Sequence, residues 1–402
     1  MTVKQAIFLV GGRGTRLGAL TRDIPKPLLE IAPGVRFLDV VVEEAARRGF
    51  TDIILLAGHL GEQVEAAYHG RTIHGATVEV IREPQPQGTG GALRFASERL
   101  DPWFVMANGD SLFEFNMRDL ASRPPSDALG RLALREIADP ARYGAVTLDG
   151  GRITQFHEKD PDLKGPAFIN GGVYLLSREI LGLVDGPCSI EQDIFPRLAA
   201  SGELQGRVYD GYFLDIGLPD TYEQAQREIP PRRQRPCAFL DRDGVLNEDA
   251  GYTHKPEDLV WKPGVREAIR KLNETGYYVV VVSNQAGVAR GYYAESDVDR
   301  FHGAMRRDLA EAGAHIDAFY YCPFHKDAAV DRYRADNHPD RKPNPGMIEK
   351  ARSDWPIRSE GSFLVGDQDS DLAAAKAAGL PGYAYREGSL ADLVDRILAD
   401  LT

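Results

Sequence analysis

The stretch Ala238-Phe239-Leu240-Asp241-Arg242-Asp243-Gly244-Val245 decides the organisation of this chain of 402 residues. An apolar, strand-forming run ends in two carboxylates that are separated by one residue, and a glycine follows. Just before it, residues 230–236 (PPRRQRP) are rich in proline and arginine, which predicts a linker. A new α/β domain therefore begins in the middle of the chain, and it begins with its own candidate active site.

The N-terminal half opens in the same way. A short apolar strand at 6–10 runs into the glycine-rich loop at 11–18 (GGRGTRLG). Two such sites predict two catalytic domains, which we place at 1–229 and 237–402. In both domains, strands alternate with helices, which predicts mostly parallel sheets that bind ligands at the carboxyl ends of their strands.

Two stretches of the first domain depart from this α/β alternation. Short strands with turns between residues 132 and 176 predict an antiparallel extension of the sheet. A predicted strand pair at 206–213 then leads to Asp215, and a helix at 220–227 closes the domain. These stretches are expected to cover a substrate that is bound at the parallel part.

Composition excludes several classes of function. The formal net charge of −12 leaves no basic surface for nucleic acid. No stretch approaches the ~20 apolar residues of a membrane span, and the first apolar run is too short for a secretion signal. The cysteines Cys188, Cys237 and Cys322 are odd in number and far apart, which predicts reduced thiols and a cytoplasmic protein. The expected partners are small-molecule substrates, and the oligomeric state is not predicted.

The glycine-rich loop predicts a polyphosphate site. Its candidate glycines, whose backbone amides can approach phosphates closely, are Gly11, Gly12 and Gly14. The loop matches neither the Walker pattern nor the Rossmann fingerprint, in which a third glycine would replace Leu17. Arg16 lies inside the loop, and Lys26 follows between two prolines that hold it rigidly for phosphate binding. Taken singly, the loop also fits a tight turn and Lys26 a solvated surface lysine.

Two aspartates complete this predicted site. Asp110 follows a strand in Asn108-Gly109-Asp110, and Asp215 follows another in residues 213–217 (FLDIG). Carboxylates at strand ends are suitable ligands for Mg²⁺ on a triphosphate. Each aspartate alone also fits a cap or a turn.

Seven motifs of the first domain occur in the order seen in sugar-1-phosphate nucleotidylyltransferases. They are GGRGTRLG (11–18), PKPLL (25–29), GTGGAL (88–93), NGD (108–110), EK (158–159), NGGVY (170–174) and DIG (215–217). The domain looks closest to the branch that activates D-glycero-α-D-manno-heptose 1-phosphate with GTP. The resemblance implies a Rossmann-like mixed sheet and an in-line attack by the sugar phosphate on the nucleotide α-phosphorus, which releases pyrophosphate. No residue pattern here specifies the base.

The resemblance also implies roles for individual residues. The nucleotide would be bound by Gly11, Gly12, Gly14, Thr15, Arg16, Lys26, Gln87, Gly88 and Asp110, with Arg16 and Lys26 as the catalytic cations. Mg²⁺ would be held by Asp110 and Asp215. Lys159 would meet the sugar phosphate, and the sugar itself would face Glu158, Asn170 and Gly171.

The second site is predicted from residues at four strand ends. Asp241 can attack phosphorus, and Asp243 can protonate the leaving oxygen as the paired general acid. Ser283 can donate to the phosphoryl oxygens, Lys342 can neutralise an aspartyl-phosphate, and the acidic run at Asp367 offers ligands to Mg²⁺. Each has a simpler explanation alone, such as a helix cap for Ser283, but the ordered set favours catalysis.

This order is that of the haloacid-dehalogenase-like superfamily, within which an aspartate at 243 favours a phosphatase. Four motifs resemble D-glycero-D-manno-heptose 1,7-bisphosphate 7-phosphatase, a family without a cap domain that is related to histidinol-phosphate phosphatase. They are FLDRDGVLNEDAGY (239–252), SNQAGVARG (283–291), YYCPFH (320–325) and RKPNPGM (341–347). The gap between Asp243 and Ser283 is likewise too short for a large cap.

The second resemblance assigns roles as the first does. Asp241 would be the nucleophile and Asp243 the acid and base. Mg²⁺ would be bound by Asp241, the backbone carbonyl of Asp243 and Asp367. Ser283 and Lys342 would bind the phosphoryl group, and the rest of the substrate would meet Asn284, Arg290 and Arg341.

One loop departs from the pattern of many relatives, which carry zinc on Cys-x-His followed by Cys-x-Cys. Cys322 is retained, but Phe324 replaces the histidine, and His338 and Asp340 stand at the cysteine positions. With His325 nearby, a zinc site is chemically possible, yet structural sites with one thiolate are unusual. We therefore predict that this loop packs around Phe324 without zinc.

Together the two domains predict a bifunctional enzyme for consecutive steps. The second would dephosphorylate D-glycero-D-manno-heptose 1,7-bisphosphate at C7, and the first would couple heptose 1-phosphate to a nucleotide, GTP in our prediction, for a bacterial surface glycan. Two alternatives stay open. The substrates could be another sugar 1-phosphate and another phosphate ester, such as histidinol phosphate, or one domain could be a non-catalytic regulatory module.

Overall fold

The structure is a computed structural model that describes residues 2–138, 144–159 and 165–401, without the side chains of residues 157–159. It contains two compact units, which divide between residues 231 and 232. The predicted linker begins too early, because Pro230, Pro231 and Arg232 belong to the end of a helix. Pro230 and Pro231 cannot donate to the carbonyls of the preceding turn, so the helix cannot continue far beyond them and ends at Arg232.

The N-terminal unit follows the predicted alternation. Its strands are β1 (Gln5–Leu9), β2 (Glu30–Ala32), β3 (Val35–Arg36), β4 (Asp52–Ala57), β5 (Thr72–Ile73), β6 (Ala76–Arg82), β7 (Trp103–Asn108), β8 (Ser111–Phe113), β9 (Gly130–Ile137), β10 (Gly144–Asp149), β11 (Arg152–Lys159), β12 (Ala167–Ser177), β13 (Leu204–Val208) and β14 (Phe213–Asp215). Its helices are α1 (Phe37–Arg47), α2 (Gly61–Tyr68), α3 (Gly88–Phe95), α4 (Met117–Ala121), α5 (Phe195–Ser201) and α6 (Pro219–Arg232).

The main sheet of this unit is mixed, as predicted. Its strand order is β10-β11-β13-β9-β12-β7-β1-β4-β6-β5. Strand β1 pairs in parallel with β4 and β7, whereas β12 is antiparallel to β7 and β9. Along β1, Ala6 and Phe8 pack into the core on one face and Ile7 into the core on the other. Because both faces of β1 are buried, only the residues beyond its carboxyl end can contact a ligand. Here those residues are the glycine-rich loop.

The predicted strand pair at 206–213 is wrong. Strand β13 joins the main sheet in parallel with β9, and β14 pairs with β8 in a separate two-stranded ribbon. In that ribbon Ser111 lies opposite Asp215, and the Ile216 amide donates to the Asp110 carbonyl at 3.1 Å. The ribbon therefore brings Asp110 and Asp215 together, a partnership between distant segments that local sequence patterns do not reveal.

The C-terminal unit is a parallel α/β fold. Its strands are β15 (Cys237–Leu240), β16 (Tyr278–Asn284), β17 (Ala318–Cys322), β18 (Phe363–Gly366) and β19 (Gly382–Ala384). Its helices are α7 (Val265–Glu274), α8 (Ala286–Ala289), α9 (Glu295–Glu311), α10 (Gly346–Asp354), α11 (Asp369–Ala377) and α12 (Leu390–Leu401). The segment between β15 and β16 holds only a loop and α7, which confirms the expectation of no large cap.

The strand order β17-β16-β15-β18-β19 is that of a doubly wound sheet. Strand β15 lies between β16 and β18 and is parallel to both. Ala238 and Leu240 pack into the core on one face, and Cys237 and Phe239 into the core on the other. The carboxyl ends of the three central strands therefore meet where ligands of such sheets bind.

Two further features bear on the expectations from composition. Within the described ranges, no helix combines the length and the apolar character needed to cross a bilayer. The three cysteines are unpaired, with Cys237 and Cys322 buried and Cys188 half-buried.

Candidate active sites

The first candidate site is a cleft of about 560 Å³ at the carboxyl ends of β1, β4, β6 and β7. Six of the predicted residues line it: Gly11, Gly12, Arg16, Gly88, Asp110 and Asp215. Gly14, Thr15, Lys26 and Gln87 do not belong to this wall. The glycine-rich loop and the two aspartates, which are far apart in the sequence, therefore face one space.

The glycines of the loop have different reasons to be glycine. A Cβ at Gly11 would lie 3.0 Å from the Glu83 carboxylate, whereas a Cβ at Gly12 would meet no heavy atom within 4 Å. Gly14 has a φ of +61°, a conformation that side chains disfavour. Packing explains the absence of a side chain at Gly11, and backbone conformation explains it at Gly14. At Gly12 neither applies, and the absence of a side chain leaves the backbone accessible to a ligand in the cleft.

Lys26 pairs with both aspartates from beneath the cleft. It is 5% exposed, and its Nζ lies 2.7 Å from Asp110 Oδ2 and 3.8 Å from Asp215 Oδ2. This burial excludes the interpretation as a surface lysine. Asp215 also accepts from Ser111 Oγ at 3.1 Å and from the Gly217 amide at 2.7 Å.

The charge balance at these carboxylates favours a bound cation. Burial raises the pKa of Asp215, neighbouring Asp110 raises it further, and Lys26 opposes both. Asp110 and Asp215 share the Lys26 ammonium, and both retain an exposed edge toward the cleft where a metal ion can bind. This donor set suits Mg²⁺, which binds through one or two carboxylates and substrate phosphates.

Arg16 reaches the same place from the glycine-rich loop. Its Nη2 lies 3.1 Å from the point where a Cβ at Gly217 would stand. Gly217 therefore leaves the space that the guanidinium occupies beside Asp215. A cation here can face the phosphates of a nucleotide in the cleft.

Glu191 lines the cleft, was missed from the sequence and accepts hydrogen bonds from three neighbouring side chains. It accepts from Thr89 Oγ1 at 2.7 Å, from the Tyr174 hydroxyl at 3.2 Å and from Ser189 Oγ at 3.1 Å. Asn170 in turn donates to the Tyr174 hydroxyl at 2.9 Å. Burial and Glu191 raise the pKa of Tyr174 well above its ordinary value, so the phenol stays a donor. Glu191 belongs to none of the sequence motifs, so nothing in the sequence distinguished it.

Glu83 was also missed, because it follows the edge-side strand β6 without a motif of its own. Its carboxylate lines the cleft beside Gly11 and Gly58. Burial raises the pKa of Glu83, whereas a hydrogen bond from the Gln87 backbone lowers it. Among the ion pairs of the described residues, none involves Glu83. The cleft thus holds a half-buried acceptor group that is not neutralised by a cation.

Four other residues of this domain were predicted to bind the nucleotide or the sugar, and the structure describes the surroundings of two of them. Gly88 has a φ of +74°, and a Cβ there would lie 2.4 Å from the Cys188 carbonyl oxygen. A Cβ at Gly171 would lie 2.6 Å from the Phe113 ring, so packing accounts for that glycine. Glu158 and Lys159 lie in β11, but their side chains are outside the described residues.

The second candidate site is a pocket of about 370 Å³ at the carboxyl ends of β15, β16 and β18. The predicted residues that line it are Asp241, Asp243, Ser283, Asn284, Lys342 and Asp367. Arg290 and Arg341 do not line it. The sheet topology thus brings together residues that the sequence separates by more than a hundred positions.

Lys342 is the cation at the centre of this pocket. It is 4% exposed, and its Nζ lies 2.8 Å from Asp241 Oδ1 and 2.6 Å from Asp371 Oδ1. Burial by itself lowers the pKa of Lys342, but the two carboxylates outweigh it and raise the pKa above its ordinary value. Burial raises the pKa of Asp241 to about 7, and Lys342 opposes that rise. Lys342 therefore stays charged and cannot be a surface lysine.

Three carboxylates of this pocket fit a divalent cation. Asp241, Asp367 and Asp371 present ligand atoms within 4.8 Å of one another. Asp367 Oδ1 is buried without a hydrogen-bond partner, which leaves a free ligand atom. Gly244 makes this approach possible, because a Cβ there would lie 2.5 Å from Asp367 Oδ2. Oxygen ligands of this kind suit Mg²⁺.

Asp371 was not among the predicted site residues. It is fully buried, pairs with Lys342 and accepts from the Gln368 amide at 2.9 Å. In the sequence it belongs to an acidic run at the start of α11, where aspartates are favoured by the helix dipole alone.

Asp243 is held by four hydrogen bonds. Arg242 donates through Nε at 3.0 Å and Nη2 at 2.8 Å, Asn247 through Nδ2 at 3.0 Å, and Gln285 through Nε2 at 2.8 Å. The side chain of Arg242 is fully buried, and its guanidinium lies 4.7 Å from the centroid of the Phe301 ring. The candidate acid is therefore fixed in place by neighbours whose role the sequence did not indicate.

The residues expected to bind the rest of the substrate differ in their surroundings. Asn284 brackets Lys342: its Nδ2 donates to the Lys342 carbonyl, and its Oδ1 accepts from the Lys342 amide, both at 3.1 Å. Asn284 therefore positions the lysine, although it also lines the pocket.

Arg290 lies 5.7 Å from the Tyr252 ring, and its buried Nε has no partner. Burial lowers the pKa of Arg341, and the nearby charge of Arg290 lowers it further.

The loop expected to lack zinc packs as predicted around Phe324. The His338 ring stacks on Phe324 with centroids 3.8 Å apart and an interplanar angle of 5°. Cys322 Sγ lies 3.9 Å from His338 Nδ1, which accepts from the Asp340 amide at 3.2 Å. The packing is confirmed, and the absence of zinc stays a prediction.

Comparison with known proteins agrees with this geometry. Residues 5–231 match the nucleotidyl transferase family, and residues 340–396 match the HAD-hydrolase-like family. The fold and the two sites thus define a two-domain enzyme that combines a nucleotidyltransferase with a HAD phosphatase.

Individual relatives refine the class of each domain. The D-glycero-beta-D-manno-heptose-1,7-bisphosphate 7-phosphatase of Rhodopseudomonas palustris is 45% identical over 169 residues, which are 42% of this chain and 93% of the relative. The D-glycero-alpha-D-manno-heptose 1-phosphate guanylyltransferase of Aneurinibacillus thermoaerophilus is 34% identical over 229 residues, 56% of this chain and 98% of the relative. The chain therefore belongs to the nucleotidyl transferase family in its first domain and to the heptose-bisphosphate phosphatase family in its second.

A solved structure supports the first assignment. HddC from Yersinia pseudotuberculosis is 29% identical with a TM-score of 0.51, and the match covers 57% of this chain and all of that one. The same protein complexed with GMP-PN gives a TM-score of 0.50.

Proposed function

We propose that this chain carries out two consecutive steps of heptose activation. The C-terminal domain removes the C7 phosphate of D-glycero-D-manno-heptose 1,7-bisphosphate. The N-terminal domain then transfers GMP from GTP to the resulting heptose 1-phosphate, which gives GDP-heptose and pyrophosphate. One observation carries the proposal: the chain contains two catalytic constellations, and its relatives include a phosphatase of D-glycero-alpha-D-manno-heptose 1,7-bisphosphate and a guanylyltransferase of the D-glycero-alpha-D-manno-heptose 1-phosphate that such a phosphatase would produce.

The phosphatase step follows from the geometry around Lys342. An oxygen of Asp241 attacks phosphorus, the bond from phosphorus to the C7 oxygen breaks, and Asp243 gives that oxygen a proton. Water then hydrolyses the aspartyl-phosphate, with Asp243 as the base. Lys342 and the Ser283 hydroxyl bind the phosphoryl oxygens, and bound Mg²⁺ would neutralise their charge at Asp241 and Asp367. Mg²⁺ in both domains is part of the proposal.

The second phosphate of the substrate needs a cationic partner. Arg290 and Arg341 carry like charges close enough for Arg290 to lower the pKa of Arg341. Their mutual repulsion is relieved when an anion lies between them. Arg290 Nε, which is buried and unpaired, provides a donor for this anion. We assign the C1 phosphate to this pair.

The transferase step needs positioning and charge neutralisation more than covalent chemistry. Arg16 and Lys26 hold the nucleotide phosphates, while the heptose phosphate oxygen attacks the α-phosphorus and pyrophosphate leaves. Asp110 and Asp215 would hold Mg²⁺, which compensates the charge on the triphosphate. Lys159 remains our candidate for the sugar phosphate, and Asn170 and Glu158 for the sugar.

Glu83 supports guanine as the base. A carboxylate only accepts hydrogen bonds, and guanine is the base whose Watson–Crick edge has two adjacent donors, N1–H and the N2 amino group. The half-buried Glu83 carboxylate lines the cleft beside Gly11 and Gly58, whose backbones pack directly against each other. A guanine that binds in the cleft would donate to this carboxylate.

Replacement of Glu83 by glutamine is expected to lower kcat/KM for GTP by ~10²-fold or more, since one end of the amide opposes a donor of guanine. The ratio of the GTP and UTP values should fall accordingly. Initial rates with the four nucleoside triphosphates provide the measurement. Glu79→Gln, on β6 and further from its carboxyl end, is the matched control and should leave the ratio unchanged. An unaltered GTP preference in Glu83→Gln would remove this residue from base recognition.

The alternatives make different predictions. If the substrates are other esters, a panel that includes histidinol phosphate will show faster phosphate release than the heptose bisphosphate does. If one domain only regulates the other, its activity will be missing from the purified chain. A cytoplasmic location remains a prediction that rests on the three unpaired cysteines.

A further inference from the structure

The side chain of Gln285 connects two residues of the phosphatase pocket. Its Nε2 donates to Asp243 Oδ2 at 2.8 Å and to Ser283 Oγ at 2.7 Å. On the other side, its Oε1 accepts from the Tyr293 hydroxyl at 2.8 Å. Gln285 is 1% exposed and Ser283 is also 1% exposed, so water does not compete for these contacts.

The chemistry of these groups fixes the direction of every hydrogen bond. Asp243 Oδ2 also accepts from Arg242 Nη2 and therefore serves as an acceptor here, so the amide nitrogen of Gln285 must face it. The second hydrogen of that nitrogen points to Ser283 Oγ, which therefore accepts. The hydroxyl proton of Ser283 is then left to point elsewhere, and the pocket that holds the phosphoryl group is next to it.

Tyr293 anchors the oxygen end of the amide. Its hydroxyl donates to Oε1, which agrees with the orientation that Asp243 imposes. The ring is held from two sides: a Cβ at Gly287 would lie 2.2 Å from it, and the His254 ring stacks on it with centroids 4.5 Å apart. Tyr293 is 7% exposed, in keeping with a structural support.

We propose that Gln285 is a positioning residue of the phosphatase, which aims the Ser283 hydroxyl at the transferring phosphoryl group and steadies the proton-donating carboxyl of Asp243. Tyr293 supports it by fixing the amide. The inference rests on the phosphatase reaction, and on the proposed heptose substrate only in the choice of ester for the assay.

The test is Gln285→Glu, which keeps the shape and replaces the donor by an acceptor. The Ser283 hydroxyl would then donate to the new carboxylate instead of to substrate, and a second negative charge would face Asp243. We expect kcat to fall by ~10²-fold with KM changed less than about threefold.

Three further variants separate positioning from folding. Gln234→Glu adds the same charge at an exposed site of this domain and should match the wild type. Tyr293→Phe should lower kcat by only about threefold to tenfold. In a Ser283→Ala background, Gln285→Glu should lower kcat by a clearly smaller factor than it does in the wild-type background, because the two residues act together.

All variants are assayed with p-nitrophenyl phosphate and with the heptose bisphosphate. If the sugar assignment is wrong, the first ester still reports on Gln285. If Gln285→Glu does not fold, Gln285→Met, which also lacks the amide donor, replaces it in the comparison with Ser283→Ala. A kcat within threefold of wild type, a loss that falls on KM instead of kcat, or a loss in the double variant equal to the product of the two single losses would overturn the proposal.

Discussion

Asp241→Asn is expected to abolish phosphate release, with a loss of at least about 10⁴-fold in kcat, and to leave nucleotidyl transfer unchanged. An amide is a poor nucleophile toward phosphorus, so the covalent step has no substitute in the pocket. The substitution also removes a carboxylate that lies 2.8 Å from Lys342 Nζ. The domain should still fold, since Lys342 keeps its ion pair with Asp371 at 2.6 Å.

The measurement is release of inorganic phosphate from the bisphosphate, together with the rate of GDP-heptose formation from heptose 1-phosphate. Asp369→Asn is the matched control, because Asp369 is exposed in the acidic run of α11 and does not line the pocket. It should keep the wild-type rate within about twofold, as surface substitutions usually do. Residual phosphate release by Asp241→Asn above about one-tenth of the wild-type rate would mean that another group is the nucleophile.

Asp110→Asn should have the opposite effect on the two activities. We expect nucleotidyl transfer to fall by at least about 10³-fold and phosphate release to stay at the wild-type rate. The substitution removes one of the two carboxylates that face the cleft and breaks the pair with Lys26 at 2.7 Å. Lys26 would turn toward Asp215, which lies 3.8 Å away, and neutralise the remaining candidate ligand for Mg²⁺.

GDP-heptose formation at several Mg²⁺ concentrations measures this effect. A loss that excess Mg²⁺ partly restores would point to metal binding, whereas a loss that it leaves unchanged would point to the orientation of Lys26. Asp220→Asn, an exposed aspartate in the first turn of α6, is the control and should be neutral. If Asp110→Asn also removes phosphate release, the two domains are not independent catalysts.

Much of the fold was predictable because the chain repeats one local rule. Apolar strands end in polar residues, and parallel sheets gather those ends at one edge. That rule correctly placed Asp241, Ser283 and Asp367 in one pocket, whereas Lys342, which was also expected at a strand end, reaches the pocket from the loop between β17 and α10. The short gap between β15 and β16 likewise excluded a cap from length alone.

The residues that escaped prediction work through contacts between distant segments. Asp371 matters because it pairs with Lys342, and Gln285 because it lies between Asp243 and Ser283. In the sequence each has an ordinary place, one in a helix start and one in a loop. The β8–β14 ribbon was missed for the same reason, since its two short strands are about a hundred residues apart and neither shows an alternating pattern.

Glycines illustrate a second limit. Gly11 and Gly171 were assigned to ligand binding, but packing against Glu83 and Phe113 explains why neither position has a side chain. A glycine that lets a ligand approach and one that lets a neighbour approach look identical in the sequence. Their difference lies in what a Cβ would meet, which only coordinates show.

The most direct test combines both activities in one vessel. Purified chain is mixed with Mg²⁺, D-glycero-D-manno-heptose 1α,7-bisphosphate and equal amounts of ATP, GTP, CTP and UTP, and the sugar nucleotides are identified by mass. The account predicts GDP-heptose as the dominant product, with one phosphate released for each sugar nucleotide formed. Phosphate release without any sugar nucleotide, or no phosphate release at all, would contradict the coupled function.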